Sequence, residues 1–139
     1  MAEIKIRDLS IGDWVQTVDC DARQNKCCVV EGIEKWRPDY VVVLKYEDGG
    51  IETLGRECIE PIPLTPEILE KNGFRKNGEY NEWNIGEWNE RPFIGISLDR
   101  QSMRVKHLGS DIFVENKVVC VHQLQHALRL AGVEKEIEV

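Results

Sequence analysis

The chain has 139 residues, 42% hydrophobic and 31% charged, a balance that excludes fibrous and intrinsically disordered classes and allows one ordinary domain or two small units. A net charge of −7 opposes nonspecific attraction to phosphate backbones, which scales with the Lys and Arg available, so nucleic acid is disfavoured as a partner. No apolar run approaches the roughly 20 residues of a bilayer span, and the first ten residues carry acids in place of an apolar leader; a cytoplasmic chain without membrane association is expected.

In chain order, residues 8–15, DLSIGDWV, read as entry into a small β-barrel, with a turn at Gly12-Asp13 and a strand from Trp14 to Thr17. Residues 19–26 are polar and aperiodic, a loop. Residues 27–33 form a second expected strand with Gly32 as a bulge, and residues 39–46 a third, whose run Tyr40-Val41-Val42-Val43-Leu44 is apolar enough to be buried on both faces. Asp48-Gly49-Gly50 then turns the chain into a strand over residues 51–54. Four or five short strands within about sixty residues point to an SH3-like barrel, an analogy of fold that implies no chemistry.

Pro61, Pro63 and Pro66 close this unit, because each lacks a backbone donor. In LTPEILEKNG, Thr65 is placed as an N-cap, Pro66 at the first helical position and Leu64 with Leu69 as a hydrophobic staple; the expected helix runs over residues 66–72. From residue 92 an antiparallel meander is expected, with strands over residues 93–98, 103–108, 112–114 and 117–120 and turns at residues 99–101, 109–110 and 115–116.

Residues 121–132, VHQLQHALRLAG, carry the clearest helical period: Val121, Leu124, Leu128 and Ala131, flanked by Ala127, make one apolar stripe that would cover the sheet, and Gly132 marks the stop. Beyond it, residues 133–139 alternate Val133, Ile137 and Val139 with glutamates, as an edge strand would. The fold class expected is therefore α+β: an N-terminal SH3-like small β-barrel over residues 1–62, then an α+β unit over residues 63–139 in which the C-terminal helix covers the meander, the two sharing one compact structure. The expected core is Trp14, Val42, Leu44, Ile68, Leu69, Ile94, Ile96, Val105, Leu124 and Leu128.

Candidate chemistry is sparse. Cys20, Cys27, Cys28, Cys58 and Cys120 are odd in number and contain no C-x-x-C pair, so all five are expected to be reduced thiols; Cys27 and Cys28, as strand neighbours, point to opposite faces and do not chelate one ion. His122 and His126 share one helix at i, i+4, but no H-E-x-x-H glutamate or third ligand accompanies them, so no metal site and no cofactor are expected. P-loop, Rossmann and nucleophile-elbow patterns are missing, and no catalytic residue can be named.

Two surfaces remain. Tyr80, Trp83 and Trp88 lie in the acidic stretch KNGEYNEWNIGEWNE, where they either pack in a strand pair, the favoured reading, or form an aromatic face for a basic protein partner. Arg104 and Lys106 alternate along one strand and make one face of it basic, which is the nucleic-acid alternative.

The phrases IEPIPLTPEILEKNGF and VHQLQHALRLAG, with the SIGDWV entry, resemble recurrent blocks in short hypothetical proteins of prophages and conjugative elements of gut bacteria. Cys120 stands where many of those proteins have Tyr, and no functional residue carries over. The resemblance implies a mobile-element context and a non-enzymatic accessory role. A protein-interaction module is thus the expected function, a nucleic-acid-associated module the alternative, and a metal-dependent enzyme the second alternative.

Overall fold

The computed structural model describes residues 4–18, 26–37, 39–78, 81–87, 92–107, 110–115 and 120–139, and the chain divides into two compact units, Met1–Ile62 and Pro63–Val139. Each holds a five-stranded antiparallel sheet, so the chain is α+β, with its α-helices in the second unit.

The first sheet comprises β1 (Trp14–Thr17), β2 (Cys27–Trp36), β3 (Asp39–Tyr46), β4 (Ile51–Leu54) and β5 (Ile59–Glu60), in the order β4-β3-β2-β1-β5. The β3–β4 turn closes where the Tyr46 amide donates to the Gly50 carbonyl at 2.8 Å, with Gly49 at a φ of +89° that a side chain would strain. Strand alternation then sorts the residues: Val15, Cys28, Val30, Val42, Leu44 and Tyr46 turn inward and join Ile4, Ile6, Leu9 and Ile59 in one core. A 3-10 turn, Ile6–Asp8, carries Ile6 into that core.

Three expectations for this unit are corrected. The run from Tyr40 to Leu44 is buried on one face only: Val42 and Leu44 are enclosed, Val41 and Val43 half-buried, and Tyr40 exposed, because alternate residues of an antiparallel strand face opposite ways and one face alone meets the core. Trp14 is half-buried for the same reason, since Val15 takes the inward position beside it. The register shift between Val30 and Gly32 puts a bulge beside Gly32, yet β2 continues past Ile33 to Trp36. Among the described residues β4 and β5 are both edge strands, and no pairing between them closes a ring. The loop expected over residues 19–26 lies outside the described residues except for Lys26.

In the second unit, α1 (Pro66–Lys71) starts at Thr65, whose hydroxyl accepts the Ile68 amide at 3.3 Å, and stops at Gly73, φ +86°, where the Phe74 amide reaches back to the Leu69 carbonyl at 3.0 Å. So short a helix encloses Leu69 while leaving Ile68 half-buried, against the expected core position for Ile68. Strands β6 (Arg75–Asn77), β7 (Glu82–Ile85), β8 (Phe93–Ser97), β9 (Ser102–His107) and β10 (Ser110–Glu115) pair in sequential order as a meander. Helix α2 (Val121–Ala131) packs on β8 and β9, and the buried residues are Val121, Leu124, Ala127, Leu128 and Ala131, the stripe its period calls for. Gly132 ends it at φ +78°.

Two elements differ from the meander expected here. One strand, β10, spans the segment where a short strand over residues 112–114 was anticipated, and residues 116–119, which include most of the next expected strand, lie outside the described residues. Cys120 instead bridges to Pro63 and caps α2, its amide donating to Gln123 Oε1 at 3.0 Å. The tail after Gly132 is no strand. Asn72 holds it with a single amide: Nδ2 donates to the Glu138 carbonyl at 2.7 Å and Oδ1 accepts the Glu138 amide at 2.8 Å, while Ile137 is buried. A side-chain amide thus supplies the donor and acceptor that a neighbouring strand would have offered.

Candidate functional site

Alternation in the first sheet leaves a second face, opposite the core. Directly opposed residues share a face, so the register places Trp14, Val29, Lys45 and Ile51 in one row across β1 to β4, then Gly32, Val43 and Thr53, then Glu34 and Val41, then Trp36 and Asp39. Val29, Val41 and Val43 are half-buried, whereas Trp36 is 58% and Ile51 66% exposed. The Trp36 indole N–H donates to Glu34 Oε2 at 3.0 Å, which orients the ring on this face. The charged members of these rows are Glu34, Asp39 and Lys45, two carboxylates against one ammonium.

Sequence reasoning passed over this surface. The signal was present in Glu34-Lys35-Trp36-Arg37, a tryptophan enclosed by charges beside a proline, which is where a strand outruns its core and a large apolar side chain has nothing to pack on.

The second sheet distributes its side chains differently. On the face with Lys76, Trp83, Ile85, Ile94, Ile96, Met103 and Val105, the register aligns Trp83 with Ile96 and Ile96 with Met103. Trp83 is 7% exposed, with the Lys76 ammonium 5.5 Å from its ring centroid, so its indole packs and offers a partner little area. Tyr80 and Trp88, expected beside it, lie outside the described residues.

The opposite face carries Arg75, Asn84, Gly95 and Arg104 in one cross-strand row. Glu82 folds over Gly95, so that a Cβ there would lie 2.5 Å from Glu82 Oε1. Arg104 Nη2 meets both Glu82 oxygens at 2.7 Å, and the Asn84 amide, oriented with nitrogen toward the carboxylate, donates to Oε1 at 2.8 Å. Charge-assisted bonds of this kind let a carboxylate that is only 8% exposed remain in place. Arg104 is therefore engaged with a carboxylate, and Lys106 sits with its ammonium 5.9 Å from the Phe93 ring centroid. The basic strand face read from the sequence is partly neutralised by a residue 22 positions away.

The thiols and imidazoles form no shared centre among the described residues, and no group of three or more His, Cys, Asp or Glu side chains converges there as a metal site would require. Cys28 and Cys120 are buried, and burial pushes their pKa values up to about 12 and about 11; the Cys27 and Glu52 charges add to the effect at Cys28. Burial, and then the Glu47 carboxylate, raises Cys27 as well. Such thiols stay protonated and are poor nucleophiles. Cys58 is disulfide-bonded, which corrects the expectation of five reduced thiols; Cys27, Cys28 and Cys120 are free. His122 and His126 meet edge to face with ring centroids 5.9 Å apart. No helix among the described residues is long and apolar enough to cross a membrane. Comparison of the chain with protein-family models, curated proteins and solved structures gives no match.

Proposed function

We propose that this chain is a non-enzymatic protein-interaction module, and that it docks its partner on the outer face of the first sheet. The observation that carries the reading is the exposure of Trp36 and Ile51 on one sheet face together with half-buried Val29, Val41 and Val43. Exposed aromatics set among valines are what a binding anchor needs, because burying a tryptophan removes on the order of 200 Å² from water and aromatic anchors dominate interface energetics. The partner fitted to this face is a different protein that presents an apolar patch flanked by Lys or Arg, since Glu34 and Asp39 outnumber Lys45 there and two copies of a chain of net charge −7 repel one another.

Around that surface, the strand order β4-β3-β2-β1-β5 and the 3-10 turn Arg56–Cys58 leading into β5 support an SH3-like open barrel for the first unit. The resemblance to proteins of prophages and conjugative elements supports an accessory protein of such an element as the setting. A cytoplasmic location is the part of the reading that the disulfide at Cys58 weighs against, because structural disulfides persist in oxidising compartments. The nucleic-acid alternative ranks below, since Glu82 already engages Arg104.

Trp36→Ala and Ile51→Ser test the proposal. Each is expected to change stability by no more than about 0.5 kcal/mol, as surface substitutions do. Both should abolish capture of a protein that the wild-type chain binds, whereas Lys106→Gln on the other sheet should leave capture intact. Retention of every partner by both variants sinks the reading, as does sedimentation showing that the wild-type face is occupied by a second copy.

A further inference from the structure

We infer that the open edge of β4 takes an extended segment of the partner protein, which joins the first sheet as a further strand; this rests on the docking reading above and states how that partner is held. The hairpin geometry fixes which way the edge residues point. The Tyr46 amide donates to the Gly50 carbonyl at 2.8 Å, and the Tyr46 carbonyl accepts the Gly49 amide at 2.9 Å, so Gly50 turns its carbonyl toward β3. Backbone groups alternate along an antiparallel strand. Glu52 and Leu54, opposite Leu44 and Val42, therefore bond back to β3, while the N–H and C=O of Ile51 and Thr53 point away from it. Among the described residues β4 is the last strand of its sheet, and both Ile51 and Thr53 are exposed.

Natural sheet edges are blunted by proline, by charge or by brevity. The opposite edge of the same sheet is short and closed: β5 has two residues, and Pro61 follows it. In the second sheet, β6 presents exposed Arg75 and Lys76. The outward positions of β4 carry none of these guards, only Ile51 and Thr53, β-branched side chains suited to strand pairing. A strand added here continues the outer-face row in which Ile51 follows Trp14, Val29 and Lys45, so it is contiguous with the docking face.

Charge selects the occupant. The register that uses both outward pairs sets one incoming residue opposite Ile51, one opposite Glu52 and one opposite Thr53. Glu52 shares the core-side face with Leu44 and keeps a carboxylate there, whose Oε1 accepts the Tyr46 hydroxyl. Two copies of this chain pairing edge to edge in that register bring Glu52 against Glu52, and like charges directly opposite are destabilising. A Lys or Arg at that position meets an opposite charge instead. The segment is thus β-branched, basic and β-branched in turn, and half-buried Leu54, packed against the core, gives the next inward residue an apolar neighbour.

The test titrates the full chain with a short blocked peptide that has Val-Lys-Val at its centre and Lys at both ends, and reads amide hydrogen exchange. Saturable binding with new protection at the Ile51 and Thr53 amides is expected, because those donors gain acceptors. N-methylation of both valines removes the peptide's own donors and should weaken binding at least tenfold. Thr53→Pro should do the same, since it deletes an outward N–H without removing a bond to β3, whereas Thr53→Val keeps that N–H and should bind as the wild type does. A Val-Glu-Val peptide should bind about tenfold more weakly than Val-Lys-Val, and Glu52→Gln should narrow that gap. Retained protection of the Glu52 and Leu54 amides will establish that Thr53→Pro is folded. Trp36 lies beyond the end of β4 in the register, so Trp36→Ala should leave peptide binding intact. Loss of partner capture in Trp36→Ala without peptide protection at β4 overturns this inference and spares the docking face; protection at β4 with capture surviving Trp36→Ala does the reverse. No protection with up to about 1 mM peptide, equal binding of the N-methylated peptide, or equal binding by folded Thr53→Pro also overturns it. So does concentration-dependent protection of Ile51 and Thr53 without peptide, the mark of a second copy on the edge.

Discussion

The two sheets have the same number of strands and the same antiparallel pairing, yet they handle the face turned away from the core in opposite ways. In the first, that face carries valines, Trp36 and Ile51, apolar groups left partly in water. In the second it carries a satisfied polar cluster, with Glu82 bonded to Arg104 and Asn84 across the gap at Gly95. Polar groups that bond one another leave little free energy for a partner to gain, whereas uncovered apolar area retains all of it. For this reason the first sheet is the better candidate for protein docking, although the second contains more of the residues that attract attention in a sequence.

The largest effect that sharpens this comparison lies beneath the second sheet's helix. Leu124 is fully enclosed on α2, and Leu124→Asp places an unpaired charge in the core; thermal and denaturant unfolding should show a loss of about 4 kcal/mol or more. A shift of less than about 1 kcal/mol would mean that the helix is not what stabilises this sheet.

An intermediate effect tests the polar cluster. Arg104→Ala leaves the Glu82 carboxylate buried beside Asn84 alone and should cost about 2 kcal/mol, below the range for fully buried pairs because the Arg104 side chain is 34% exposed. Gly95→Ala drives a methyl group to 2.5 Å from Glu82 Oε1 and should break the same contact from the other side. In a double-mutant cycle the two losses should therefore combine to less than their sum. Strict additivity would show that Glu82 and Arg104 are not coupled through Gly95.

The smallest effect concerns the first sheet's thiols. Cys28, whose thiol lies 3.6 Å from the Val15 carbonyl, has a folded pKa of about 12 against an ordinary value of 9.0. The folded state thus holds its proton more tightly than the unfolded chain does. The stability this contributes is complete below about pH 9 and is lost as pH rises toward about 12, so alkaline titration should lower the melting temperature, and Cys28→Ala should blunt that slope. Iodoacetamide at neutral pH should leave Cys28 and Cys120 unmodified until the chain unfolds, and unfolding without reductant should expose Cys27, Cys28 and Cys120 while Cys58 stays unlabelled. Labelling of Cys58 would remove its disulfide.

Much of the local structure was legible from residues alone. The Thr65 cap, the Pro66 start, the Gly132 stop and the buried stripe of α2 all follow from short-range chemistry, as do the bounds of β1, β3 and β4. The candidate site was less so. Trp83 packs in a strand pair as expected, but only the pairing of β7 with β8 shows that it meets Ile96. Arg104 looked like a free cation, and only the pairing of β7, β8 and β9 brings Glu82 to it.

The sequence by itself determined where helices begin and end, which residues of each strand share a face, and that the chain carries a strong acidic excess, because caps, periodicity and charge depend on neighbours a few positions apart. Tertiary structure decided which of the two faces of each sheet is covered, that Asn72 anchors the tail at Glu138 where a strand was expected, and that Arg104 is bonded to Glu82. Those outcomes depend on partners tens of residues away, and alternation along a strand fixes two faces without saying which of them will meet the core.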